Sequence, residues 1–283
     1  MASTASTVPV IPKSRIRAFF LPREHGAWGM LLVPLVTGAA AGNPRGERII
    51  WILLFAAAAL GLFCLRTPVE AALKLSPLRA QSAGERRLIH ISIYIHSSVA
   101  FLALVTLFAW AHAYELLLLG AAAAIALLFQ ALLKQLGRET RMSSQLVGAV
   151  ALSSTSAGAF YLATGRFGPA AAVIWLANWL LAANQIHFVQ MRLHSARALT
   201  AGEKLGRGKA FLLHQAACLL VLATIWRAGW IPGLAVAAFA PVLIRGFAWF
   251  LESPQALQVH RLGLKELGYA VVFGLFFIAG FHF

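Results

Sequence analysis

Apolar residues in this chain fall in long unbroken runs, without the alternation of half-buried strands or the narrow stripes of soluble helices. The runs lie at about residues 26–42, 49–65, 88–112, 114–133, 145–163, 169–190, 210–228, 230–250 and 265–281, each bounded by charge or by Gly and Pro. About 20 apolar residues cross the hydrocarbon of a bilayer. Backbone groups in lipid must bond internally, which leaves helices as the solution for such runs. The pattern therefore predicts an all-α polytopic membrane helix bundle of about nine transmembrane helices. Only "HAYE" separates the third run from the fourth, which predicts a tight helical hairpin. Residues 1–20 read as a polar, basic tail and residues 21–283 as a single transmembrane helical domain.

Composition agrees with the pattern. Of the 283 residues, 60% are hydrophobic and only 12% charged, against about 25% charged in soluble domains. The opening "MASTAST" and "PKSRIRAFF" lack the short apolar region and small-residue cleavage site of a secretory signal, so the tail is expected to be uncleaved and cytoplasmic.

A net charge of +15 raises the question of nucleic acid, but its distribution answers it. With the N-terminus inside, all but Arg45, Arg48, Arg166 and Arg227 of the 24 basic residues fall on the cytoplasmic side. That is the positive-inside bias of a membrane protein. It predicts a cytoplasmic N-terminus and an outer C-terminus, with the lipid bilayer as partner and not nucleic acid. Cys64 and Cys218 lie far apart inside apolar runs and read as buried small hydrophobes.

Three groups of polar residues interrupt the apolar background. The first is Arg23, Glu24 and His25 with Trp28, at the mouth of the first run. Pro22 suits a helix start, Glu24 complements the helix dipole and Trp28 suits the membrane interface. The same residues would also form a polar pocket, with Gly26 and Gly29 allowing close approach. The second group is "FCLRTPVEAALK", where Arg66, Glu70 and Lys74 recur every four residues and share a helix face. It reads as a salt-bridge ladder, or as an anion site at headgroup level.

The third is "ANWLLAANQIHFVQMRLHSAR". Asn184, His187, Met191 and His194 form one stripe, with Gln185 and Arg192 on the next. Amides and imidazoles at the end of an apolar helix are costly without partners or a wet cavity. His187 and His194 are the candidate acid–base residues. His90, His96, His187 and His194 are candidate haem ligands by residue type, but spacing within one helix supplies no facing pair. "GEKLGRGK", at 202–209, looks like a phosphate loop but has the wrong glycine spacing and Ala210 where Ser or Thr is needed.

The stretch "FFLPREHGAWGMLLVPLVTG" resembles the start of the YwiC-like family of bacterial membrane proteins, with "NQIHFVQMRLHSAR" the second local match. The resemblance implies the inner (plasma) membrane of a bacterium. More distantly, nine helices with long cytoplasmic loops after the second and sixth look like the UbiA superfamily of intramembrane prenyltransferases, whose aspartate-rich motifs in those regions bind magnesium and a prenyl diphosphate. This chain has no aspartate, and its nine acidic residues are all glutamate. Magnesium–diphosphate sites depend on carboxylates, so a magnesium-dependent transferase is not expected. Arg66, Lys74, Arg192 or Arg197 would bind an anion directly instead. The expected function is binding of an amphipathic anionic ligand, an isoprenoid phosphate or quinone precursor, in a cytoplasm-facing cavity lined by Arg23, His25, Arg66, Asn184, His187, Arg192 and His194. The alternatives are a metal-independent intramembrane transferase and a small-molecule transporter, the latter drawing on Pro34, Pro232 and Pro241 as helix breakers.

Overall fold

The computed structural model describes residues 12–22, 25–75, 78–137, 139–195, 200–253 and 257–283. Among these residues the regular structure is all helical. The elements are α1 (Lys13–Phe20), α2 (His25–Ala41), α3 (Arg48–Ala72), α4 (Ala83–Trp110), α5 (Glu115–Gln135), α6 (Arg141–Thr164), α7 (Pro169–His194), α8 (Ala201–Arg227), α9 (Gly233–Ala237), α10 (Ala240–Leu251) and α11 (Val259–His282).

Each of the nine apolar runs became helix. Eight candidate spans are long and apolar enough to cross a membrane, with α9 and α10 together forming one of them, Gly233–Leu251. The remaining apolar helix, α2, has 17 residues, or about 25 Å at 1.5 Å per residue, a little short of the roughly 30 Å hydrocarbon core. Leu117, Leu118, Ile125 and Leu128 of α5 are exposed, as are Phe101, Leu102, Leu220 and Leu275 on other helices. Apolar surface that extensive is the mark of a lipid-facing wall. The chain is a multispan helical membrane protein.

The run at 230–250 is broken between α9 and α10. Pro241 stands in the first turn of α10, where its missing N–H costs nothing but its ring clashes with a preceding helical turn. Pro34 does not break α2 and Pro68 does not break α3.

The chain packs as two compact units. The first holds residues 1–24 and 53–112: α1, most of α3, and α4. Phe19 of α1 is buried with Ala71 of α3 and Ile89 of α4, and Ser92 Oγ donates to the Phe19 carbonyl at 2.9 Å. The basic segment before the spans is thus partly a packed helix.

The second unit holds residues 25–52 and 113–283. Its centre is α6 and α7. The Ser153, Ser154 and Ser156 hydroxyls are buried, and each donates to a carbonyl three or four residues earlier in α6 at 2.7 Å. That satisfies them without a water partner, so a polar-looking helix packs as a smooth small-residue surface. Trp175 and Trp179 of α7 donate their indole N–H groups to the Val150 and Leu146 carbonyls of α6 at 2.9 and 3.2 Å. The apolar core of this unit includes Ile174, Leu222, Phe239, Phe273 and Phe277 from α7, α8, the α9–α10 break and α11.

Gly38 sets how closely α2 approaches α6. A Cβ at Gly38 would fall on the backbone of Ser156, which cannot yield as a side chain would. Gly38→Ala is therefore expected to cost about 1–3 kcal/mol and to lower the melting temperature in detergent. Gly26→Ala, whose Cβ meets nothing within 4 Å, serves as the matched control and should leave the melt unchanged.

Candidate functional site

In the second unit, polar side chains of α7, α8, α10 and α11 meet inside the apolar core. Asn184 of α7 is at the centre. Its Oδ1 accepts from Arg245 Nη2 of α10 at 2.9 Å, and its Nδ2 donates to Gln215 Oε1 of α8. Gln215 Nε2 donates onward to the Leu243 carbonyl at 3.2 Å. Gln185 Nε2 donates to the Glu266 carbonyl of α11 at 2.6 Å. Arg245 Nη1 pairs with Glu266 Oε2. Gly246 makes room for this arrangement, since a Cβ there would collide with the Gln215 amide and the Phe211 ring.

Asn184 and Gln215 are 2% and 0% exposed, and Arg245 and Glu266 are 9% and 7%. Two charges taken out of water lose several kcal/mol of hydration each, which only close pairing and further hydrogen bonds offset. The amides supply part of that compensation. The Arg245 guanidinium also lies 3.9 Å from the Phe188 ring centroid and 5.2 Å from that of Tyr269, where the ring faces favour a cation. Arg245 Nε and Glu266 Oε1 remain buried without a hydrogen-bond partner, so the pair keeps one donor and one acceptor in reserve.

Toward the end where α7 and α10 finish and α8 and α11 begin, a second layer of cations surrounds Trp249. Arg192 is half-buried, 5.9 Å from the centroids of both Phe188 and Trp249. Its ionic partner Glu252 stands at a long 3.9 Å. Lys204 is buried and donates its ammonium to the Trp249 carbonyl at 3.0 Å and to that of Glu252. Beside the network, His187 stacks on His214 with centroids 4.3 Å apart and planes 14° from parallel, and Cys218 Sγ lies 3.4 Å from His214 Nε2.

The residues singled out by sequence take different places. Arg23, Glu24, Arg197 and the side chain of His25 lie outside the described residues. Trp28 is half-buried on α2. In the first unit, Arg66 and Glu70 form a ladder pair at 2.9 Å. Lys74 follows the end of α3 with φ 58°, exposed, because the four-residue repeat stops where the helix does. In the second unit, Asn184, His187 and Arg192 point into the cluster just described. Met191 joins an apolar cluster with Phe211 and Trp249. His194 is exposed and its Nδ1 bonds back to the Gln190 carbonyl at 2.7 Å. Hydrophobic periodicity gives no signal for Glu266, Gln215 and His214, and by charge counting Arg245 and Lys204 read as cytoplasmic topology charges. A usable signal was present: Arg245 is the sole charge inside "APVLIRGFAWFL", and an intramembrane charge points to a site.

The donors do not suit magnesium. Of the nearby carboxylates, Glu266 is committed to Arg245 and Glu252 faces Arg192, and cations surround both. Among the described residues, no three His, Cys, Asp or Glu side chains group as metal ligands. Nor does the His187–His214 stack suit haem, because axial ligands aim their ring nitrogens at iron from opposite sides. In the first unit, His90 is exposed and His96 bonds through Nδ1 to the Ser92 carbonyl at 2.8 Å.

In comparison with known families, the model of the YwiC-like protein family matches residues 21–161. The chain belongs to the YwiC-like family. The match runs from α2 into α6, so in this YwiC-like protein the cluster on α7, α8, α10 and α11 lies beyond the matched stretch. No curated protein and no solved structure matches the chain.

The ion pair has a thermodynamic signature. Arg245→Met alone strands the Glu266 carboxylate and is expected to cost about 3–5 kcal/mol. The double variant Arg245→Met/Glu266→Met should recover most of that loss in a thermal-melt double-mutant cycle. Additive losses would show that the two charges are not coupled.

Proposed function

We propose that this YwiC-like protein binds an amphipathic anionic ligand, an isoprenoid phosphate or quinone precursor, at the cationic end of α7, α8, α10 and α11. In this reading the N-terminus is cytoplasmic, the site opens to the cytoplasm, and the scaffold is UbiA-like with cations where related enzymes use aspartate-held magnesium. The observation that carries the reading is Arg192. It is half-buried with two aromatic ring centroids 5.9 Å away, and its ionic partner is distant. A guanidinium has five donors in a fork that fits phosphate or carboxylate, while aromatic and aliphatic walls suit a prenyl or ring moiety. Arg245, deeper in, has Nε unengaged. Such a site holds an anion without the leaving-group activation that magnesium supplies, which favours binding over transfer.

The test is equilibrium binding of radiolabelled farnesyl monophosphate to the purified full chain. Arg192→Gln is expected to weaken binding by about tenfold or more, the worth of a charge-assisted contact. Exposed Lys209→Gln should not, and EDTA should leave wild-type binding intact. Loss of binding in EDTA would instead point to a carboxylate-held metal. Equal affinity of wild type and Arg192→Gln would remove the site.

A transporter reading draws on the interrupted α9–α10 span beside the buried Arg245–Glu266 pair, since broken helices and intramembrane charges recur in transporters. Uptake of the same labelled ligand into proteoliposomes, abolished in Glu266→Gln, is its expected outcome. Binding without uptake favours the first reading.

A further inference from the structure

We propose that the first unit carries a separate docking surface for acidic phospholipid headgroups, formed by Lys13 and Arg17 of α1, Arg79 before α4, and Arg86 and Arg87 in the first turns of α4. The surface begins with α1. At eight residues it is far too short to cross a bilayer, and it packs by one face. Ala18 and Phe19 are buried, while Arg15 on the same side reaches Glu85 of α4. Lys13 and Arg17, one turn apart and two residues off that face, are exposed.

Glu85 is the buried carboxylate at this end, and it is fully engaged. Arg15 Nε donates to its Oε1 and Arg15 Nη2 to its Oε2 at 2.8 Å, and the Gln81 N–H donates to Oε2 at 2.6 Å. Arg15 Nη2 also donates to the Arg79 carbonyl at 2.9 Å, which ties the α1 clasp to the segment preceding α4. The clasp therefore uses the local negative charge internally. Lys13, Arg17, Arg79, Arg86 and Arg87 are all exposed, and no carboxylate pairs with any of them among the described residues.

The height of this ledge along the span selects lipid as the partner. Lipid-facing apolar residues of α4 begin at Ile91, with Tyr94, Ile95 and Val99 following. Arg87 precedes Ile91 by four residues, or about 6 Å of helix. An exposed tyrosine just inside a pair of arginines is the arrangement of a membrane interface. The 28 residues of α4 extend about 42 Å, longer than the roughly 30 Å hydrocarbon, so its first turns stand at headgroup level. Five exposed cations there complement the phosphates of acidic lipids, which attract each cation near the surface.

The test uses the full chain in nanodiscs of equimolar phosphatidylglycerol and phosphatidylcholine, followed by native mass spectrometry of retained lipid. Wild type is expected to retain phosphatidylglycerol over phosphatidylcholine by about tenfold, a gain reachable with a few surface cations. Arg17→Gln/Arg86→Gln/Arg87→Gln should bring the ratio near parity. An equally charged change in the second unit, Lys209→Gln/Arg227→Gln/Arg261→Gln, should leave it high. If the triple variant does not purify, Arg17→Gln and Arg86→Gln singly should each lower the ratio by a few fold. No enrichment in wild type, unchanged enrichment in the ledge variants, or equal loss in the second-unit control would each overturn the assignment. Because the ledge and Arg192 are on different units, this result is independent of farnesyl monophosphate binding.

Discussion

A guanidinium and a carboxylate buried among apolar side chains have no water to fall back on. Arg245 and Glu266 must therefore find their compensation in the protein, and that requirement fixes four helices at once. Asn184 and Gln185 come from α7, Gln215 from α8, Arg245 and the Leu243 carbonyl from α10, and Glu266 from α11. The apolar cluster of Phe239, just before α10, with Phe273 and Phe277 of α11 supplies contact area but little direction, because packed aliphatic and aromatic faces tolerate sliding and rotation. Hydrogen bonds do not. A turn of α7 by one residue would carry Asn184 away from both Arg245 and Gln215. In hydrocarbon the loss would be severe, because an abandoned charge has no solvent to recover it.

The architecture was legible because its cause is simple. Lipid cannot hydrogen-bond a backbone, so any apolar run of span length must be helix. The nine runs became helices for that reason alone. The break between α9 and α10 was harder to read, because Pro241 sits within an otherwise continuous apolar stretch and Pro34 and Pro68 sit in helices that remain whole. Proline marks where a helix is able to break, and the surrounding packing decides whether it does. The site was half legible. Periodicity placed Asn184 and His187 on one stripe, but it specifies only their own helix and not what faces them. Met191, on that same stripe, packs with Phe211 and Trp249, and His194 ends α7 at an exposed position. Arg245 reads with the topology charges because charge counting treats a cation by loop and side, while its burial depends on α7 and α11 across from it.

The family match and the buried cluster occupy different stretches of chain, yet α6 and α7 join them. The YwiC-like match ends within α6, the helix whose buried serines bond to their own backbone and leave a small, even surface. Against that surface α7 is held by two indole contacts, Trp175 to the Val150 carbonyl and Trp179 to that of Leu146, and by Gln190 Nε2 donating to Gln145 Oε1 at 2.8 Å. These three bonds line one face of α7 over four turns. Asn184, Gln185 and Phe188, between Trp179 and Gln190 along the helix, are thereby turned toward α8, α10 and α11. The matched half of the chain thus sets the rotation of the helix on which the cluster is built.

The choice of cation also bears on what the cluster can do. Lys204 spends its ammonium on the Trp249 and Glu252 carbonyls, which stitches α8 to the end of α10. That is a structural use suited to a compact point charge. Arg192 instead lies 5.9 Å from the centroids of Phe188 and Trp249, with its ionic partner Glu252 at 3.9 Å, and a planar guanidinium there presents a fork of donors. Replacing it by lysine would keep the charge and lose the fork. In the proposed binding reading, Arg192 and not Lys204 is the group that meets the ligand, because one cation has donors to offer and the other has used its own to hold the helices in place.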